Sequence, residues 1–167
     1  LDMRETAPMQ ASQNMYAGNA SLKSSGILSV AVPGELAGLH KAWKQHGKLP
    51  WERLVRPAED LARRGFKVSP YLRMQMERTE SGILADMGLR DVFTSKGNLL
   101  RIGDICRNIK LAKTLRVISK LGVKAFYNGS VGLNLVEDVQ KAGGILTLKD
   151  LHRYEVKIRE PISSYFM

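Results

Sequence analysis

Apolar and polar positions alternate at the start of the chain, with Leu1 and Met3 set against Asp2 and Arg4. That period of two predicts a strand with one apolar face, stopped at Pro8 because proline has no N–H for a ladder. The small, polar "ASQNMYAGNASLKSSG" predicts a helical turn and then a loop. Residues 27–34, "ILSVAVPG", predict a buried strand meeting a turn at Pro33-Gly34. At Glu35 the spacing becomes helical, through Leu36, Leu39 and Trp43, with Gly47 as the stop. Pro57 suits a first-turn position, so "LPWERLVRPAEDLARRGF" predicts a short helix, a bend, and a second helix from Ala58 to Arg64.

Ser69-Pro70 predicts the next helix, with Ser69 as its cap and Leu72 and Met76 on one face, fading near Ser81-Gly82. Residues 86–104 are expected to be turn-rich, tethered by Val92 and Phe93. Asn108 then caps a helix with a Leu111, Leu115, Ile118 stripe ended at Gly122. "VKAFYNG" predicts a short turn. Ser130 is expected to cap a helix buried through Leu135, Val136 and Val139 and closed by Gly143-Gly144. Thr147 with Asp150 resembles a capping box, and "YEVKIREPI" predicts an edge strand. The sum is an α+β chain, rich in helix with short strands near both ends, forming a single unit over residues 1–167 without repeats or linkers.

Composition narrows the classes of function. The 167 residues are 44% hydrophobic and 25% charged, as in globular proteins. No apolar run is long enough to cross a bilayer. The net charge of +10 raises the question of nucleic acid. The basic residues are scattered, as in "KAWKQHGK" and "RNIKLAKTLR", which predicts solvated helix faces and no nucleic-acid partner. Cys106 is the one cysteine, so it has no internal disulfide and no metal pair, and a buried apolar role is expected. Two N-x-S sequons make Asn19 and Asn128 possible glycan acceptors in a secreted context.

Side-chain chemistry is sparse. His40 and His46 are six apart and do not share a helical face as metal ligands do at i, i+4, and His152 stands alone. No serine lies in a G-x-S-x-G context, and no phosphate-cradling glycine motif occurs. Glu59-Asp60 and Glu137-Asp138 are expected on solvent faces of helices. No metal site and no cofactor are expected. The strongest single candidate is Arg4: an arginine just past a strand can hold a carboxylate by two parallel hydrogen bonds. The alternative is a surface ion pair with Asp2 or Glu5.

"DMRETAP", then "LSVAVPGELAGLHKAWKQHGKLPW", "LVRPAEDLARRGF", "AFYNGS" and "DVQKAGGILTLKDLHRYEVKIREPI" occur in that order. Together they resemble the large subunit of γ-glutamyltransferase (glutathione hydrolase), most closely its plant members, from Asp2 to Ile162. The resemblance implies part of an N-terminal-nucleophile hydrolase with a stacked αββα core, made as a precursor that cleaves itself into two subunits. It implies cleavage of the γ-glutamyl bond of glutathione and its conjugates. An N-terminal Thr of the small subunit attacks, and the acyl group passes to water or an acceptor. The family's D-x-R-E-x-A-P arginine, which binds the α-carboxylate of the γ-glutamyl group, matches Arg4.

None of Thr6, Thr79, Thr94, Thr114 and Thr147 stands in a processing context. The expectation is an incomplete large-subunit segment, inactive alone, with exposed strand edges that invite aggregation. Partners implied by the resemblance are glutathione or other γ-glutamyl compounds, and a small subunit or a full-length relative. The alternative is a truncated, non-catalytic paralogue that binds a family member or a γ-glutamyl ligand. The compartment is likewise inherited: secreted or apoplastic, membrane-anchored outside the cytosol, or vacuolar.

Overall fold

The computed structural model describes residues 1–166. Its residues fall into two compact units, one made of Leu1–Trp51 with the stretch that begins at Lys120, the other of Glu52–Ser119.

In the first unit the chain ends are extended, and they pair through single bridges where strands were expected. Asp2 exchanges both backbone hydrogen bonds with Lys157, and Thr6 does so with Val32. Between the bridges the Arg4 amide turns to its own neighbour, Asp2 Oδ1, at 3.1 Å. Such a local side-chain acceptor competes with a ladder and keeps the pairing to one residue at a time. The expected strand over 27–34 is likewise corrected: Ile27–Ser29 form a 3-10 turn, and of the apolar run only Val32 bridges. Another 3-10 turn, Ala20–Lys23, is capped by the Asn19 side chain.

Helix α1 spans Glu35–His46, with Glu35 in its first turn and Lys44 and His46 in its last, each suited to the helix dipole. His40 packs between the rings of Trp43 and Trp51, with centroids 5.2 and 5.1 Å away. Burial, then Lys44, lowers the pKa of His40. Leu39, expected inside, is exposed. Helix α7 (Lys124–Tyr127) forms where a turn was expected. Helix α8 (Ser130–Lys141) starts after Gly129 and has no side-chain cap, so Ser130 lies inside the helix. Helix α9 (Leu148–Arg153) opens on the full Thr147–Asp150 capping box. Val32, Tyr127, Val136, Val139, Leu146 and Leu151 form the core of this unit.

In the second unit, helix α2 starts at Trp51 and runs to Arg64 with Pro57 inside it, so the expected division into two helices does not occur. The proline removes one donor, but the carbonyl it frees is that of exposed Arg53, where water can serve. Burial of Glu59 and Ala62 on the inner face keeps the helix in register beyond it. Gly65 ends the helix with φ +85°, and a Cβ there would lie 2.6 Å from the Cys106 carbonyl oxygen. Helix α3 (Pro70–Arg78) begins at the Ser69 cap, which accepts from the Leu72 amide at 3.1 Å.

The expected turn-rich stretch contains helix α5 (Met87–Phe93), which follows α4 (Glu80–Ala85). Asp86 caps α5 by accepting from the Leu89 amide at 2.7 Å, and Val92 and Phe93 hold its end against the core. Packing there outweighs the low helix propensity of Gly88. Helix α6 (Ile109–Leu121) is capped by Asn108 as the sequence predicts, but its buried face is Ala112, Ile118 and Ser119, with Leu111 exposed.

The named strands are two residues each. Strand β1 (Phe66–Lys67) pairs antiparallel with β4 (Ile105–Cys106), and β2 (Thr94–Ser95) with β3 (Asn98–Leu99). Positive φ at Lys96 and Gly97 makes the tight hairpin turn between β2 and β3. Val68, Met76, Ile83, Leu99, Leu100 and Cys106 form the core. Cys106 is buried as expected, and burial raises its thiol pKa.

Candidate functional site

The extended segment of residues 2–6 is held at both ends, and Arg4 is at its middle. Asp2 is fixed by the Lys157 bridge and by Arg159 Nε, which donates to Asp2 Oδ2. Beyond Thr6, Pro8 is buried, and the Met9 amide donates to Asp150 Oδ1 at 2.7 Å. The Arg4 carbonyl accepts from the Tyr154 hydroxyl at 2.8 Å. The backbone on either side of Arg4 is therefore tied down, while its side chain is 82% exposed.

That side chain borders two clefts. One, of about 680 Å³, is lined by Leu1–Glu5 and Pro33–Glu35. The other, about 170 Å³, is lined by Asp2, Arg4–Thr6, Tyr154, Glu155, Lys157 and Arg159. The guanidinium donates through Nη2 to Glu5 Oε1 at 2.9 Å, so the local ion pair weighed from the sequence does form. An exposed pair of this kind contributes little and is easily exchanged. Glu5 takes one part of the fork, and other N–H groups of the guanidinium remain for a second acceptor. Hydrogen bonds from Arg159, then from the Arg4 amide, hold the Asp2 carboxyl below the usual carboxylate range. Asp2 is thus ionised and committed to the frame at neutral pH.

The other candidates lie apart. Asn19 and Asn128 are both exposed; Asn19 is engaged in its turn, accepting from the Ser21 amide and hydroxyl. Among the described residues no three His, Cys, Asp or Glu side chains cluster as a metal site would need. Among the same residues no helix is long and apolar enough to cross a membrane. Glu59 turns inward, where Arg116 Nε meets it at 2.8 Å, against the expectation of a solvent face. Four threonine hydroxyls are engaged locally. Those of Thr79, Thr94 and Thr114 donate to the carbonyl four residues back, and that of Thr147 donates to Asp150.

Sequence reasoning missed Tyr154, Lys157 and Arg159 as partners of the Arg4 segment. They lie some 150 residues away in the chain and carry no local motif. The only cue was the extended pattern of "YEVKIREPI", which put backbone there able to pair.

Comparison with known proteins identifies the family of the chain. Glutathione hydrolase 2 of Arabidopsis thaliana is 61% identical over 163 residues, covering 98% of this chain and 28% of that protein. Glutathione hydrolase 3 of the same plant is 52% identical over 163 residues, covering 98% of the chain and 26% of that protein. The chain thus spans about a quarter of the length of these relatives. The crystal structure of Helicobacter pylori γ-glutamyltranspeptidase superposes with a TM-score of 0.92 at 35% identity, over 98% of this chain and 49% of that one. The helix-rich α+β architecture is therefore that of the N-terminal-nucleophile hydrolases. The sequence model of the gamma-glutamyltranspeptidase family matches residues 1–167 throughout, and the chain belongs to that family.

Proposed function

We propose that this chain supplies the arginine that anchors the α-carboxylate of a γ-glutamyl substrate, and that Arg4 is that residue. One observation carries the reading. The matched D-x-R-E-x-A-P arginine stands on a backbone tied at both ends, with its guanidinium exposed at the mouth of a cleft. A fixed backbone with a free fork suits bidentate capture of a carboxylate, and holding one end of the substrate orients its amide toward a nucleophile. The reaction served is cleavage of the γ-glutamyl bond of glutathione and its conjugates, with transfer to water or an acceptor peptide.

The 167 residues alone are inactive in this reading. The nucleophile of the family is an N-terminal threonine, and none of the five threonines here stands at such a position. As one incomplete large-subunit segment, the chain would complete a site with a small subunit or a full-length relative. Secretion, anchoring outside the cytosol, or vacuolar placement would put the exposed Asn19 and Asn128 within reach of glycosylation.

Purified chain given γ-glutamyl-p-nitroanilide is expected to release p-nitroaniline no faster than the blank. Release above blank that disappears in Arg4→Ala would overturn the claim of inactivity while upholding the role of Arg4.

A further inference from the structure

We infer that Tyr154 is a positioning residue for Arg4, its hydroxyl fixing the Arg4 peptide so that the guanidinium presents one geometry to a carboxylate. The inference rests on Arg4 being the carboxylate anchor and adds the group that sets its aim.

Three observations converge on the Tyr154 hydroxyl. First, it donates to the Arg4 carbonyl at 2.8 Å. The two bridges fix residues 2 and 6 and leave this carbonyl, at the midpoint, for a side chain. Second, the Tyr154 ring is held in place. It stacks on Tyr127 with centroids 5.8 Å apart and planes 19° apart. Tyr127 is in turn fastened to the entry of α1, donating to the Pro33 carbonyl at 2.7 Å and accepting from the Ala37 amide at 3.3 Å. Burial raises the Tyr127 pKa to about 12, so that donor stays protonated.

Third, the space is reserved. A Cβ on Gly34 would lie 1.9 Å from Tyr154 Oη and 2.5 Å from the Met3 carbonyl oxygen. Only a residue without a side chain lets the hydroxyl and the residue 3–4 backbone meet there.

A packing role for Tyr154 is the competing account, since its ring lies against the core. The hydroxyl separates the two. Tyr154→Phe keeps the stacked ring and removes only the donor. The Arg4 carbonyl lies in an exposed hydrogen bond, so water can replace the lost partner and the fold should tolerate the change. What is lost is the tether that orients the peptide.

The test is an NMR titration of the isotope-labelled 167-residue chain with L-glutamate, following the Arg4 Nε–H signal, identified by its loss in Arg4→Ala. Wild type should show one saturable shift. Tyr154→Phe should weaken the apparent Kd about three- to tenfold, the range one peptide hydrogen bond supplies, and reduce the order of the Arg4 side chain. Its thermal midpoint should stay within about 2 °C of wild type. Gly34→Ala, which crowds both the hydroxyl and the Met3 carbonyl, should weaken binding in the same direction.

If Arg4→Ala loses binding and Tyr154→Phe keeps the wild-type Kd, the positioning role is overturned and the anchor stands. If Tyr154→Phe fails to fold, or binds normally despite a disordered Arg4, the tyrosine is structural and the inference falls. If wild type does not bind, or Arg4→Ala binds as well as wild type, the anchor itself is refuted.

Discussion

Replacing Asp150 by alanine is expected to lower stability by about 2–4 kcal/mol, a large share of what a domain of this size holds in reserve. The side chain is 5% exposed and accepts three hydrogen bonds. They come from the Thr147 amide at 2.8 Å, the Thr147 hydroxyl at 2.5 Å and the Met9 amide at 2.7 Å. The first is one half of the capping box of α9, whose other half is the Asp150 amide donating to Thr147 Oγ1 at 3.2 Å. The third ties that helix to the segment that follows Arg4. Alanine would leave the three donors short of an acceptor where water has poor access, and that loss exceeds the benefit of burying one carboxylate fewer. Urea unfolding monitored by circular dichroism measures the difference.

The same residue sets a pH dependence. Burial pushes the Asp150 carboxyl up, but the Thr147 hydroxyl and the Met9 and Thr147 amides outweigh it, leaving the pKa below the ordinary 3.8. A carboxyl whose pKa is lower folded than unfolded stabilises fully above the unfolded value and loses that contribution as pH falls through the folded one. The gap in stability between wild type and Asp150→Asn should therefore hold steady from pH 7 to 5 and narrow only below about pH 4. A gap that closes between pH 7 and 5 would contradict the assignment.

Gly132→Ala should cost 2 kcal/mol or more, against the preference of helices for alanine over glycine of about 1 kcal/mol. A Cβ at that position would lie 2.0 Å from the Phe126 carbonyl oxygen and 2.9 Å from Leu151 Cδ1. The first is backbone and cannot rotate away, and the second belongs to a fully buried side chain in the core. Accommodation would require α7 and α8 to separate, with the loss of close packing that entails. Gly82, in α4 with nothing within 4 Å of its would-be Cβ, is the control. Alanine there should be neutral or stabilising, and equal effects at the two positions would refute the steric account.

Signals confined to a few neighbouring residues were legible in the sequence. The Ser69 and Asn108 caps, the Thr147–Asp150 box, the stops at Gly65 and Gly122 and the bounds of α1 all follow from side chains acting on adjacent backbone. The failures are places where distant partners or solvent decide. Pro57 reads as a break until Arg53, whose carbonyl it leaves without a helical donor, is found on the exposed face. Residues 86–104 read as turns until Val92 and Phe93 find their core. The alternation at Leu1–Arg4 and the apolar run at 27–34 became single bridges because competing local hydrogen bonds and a 3-10 turn intervened.

The candidate site divides along the same line. Arg4 was found by its motif, and the order of the other matching blocks raised it above an ordinary surface arginine. The contacts of Tyr154 and Arg159 with the Arg4 segment were invisible, since a hydroxyl placed on a carbonyl 150 residues away leaves no period or spacing to detect. Glu5, weighed as a simple surface partner, does occupy one side of the guanidinium. That pair occupies part of the fork in competition with any incoming carboxylate.

The most direct measurement of the central claim is the affinity of the chain for L-glutamate, compared with Arg4→Ala, Arg4→Lys and the α-amide L-isoglutamine. The account predicts saturable binding that weakens about tenfold or more in Arg4→Ala, the scale of a charge-assisted bidentate contact. Arg4→Lys should fall between the two, since a point charge lacks the planar fork. Wild type should bind L-isoglutamine as weakly as Arg4→Ala binds L-glutamate, because in each case one half of the same pair is missing. Equal affinities for L-glutamate in wild type and Arg4→Ala would contradict the account.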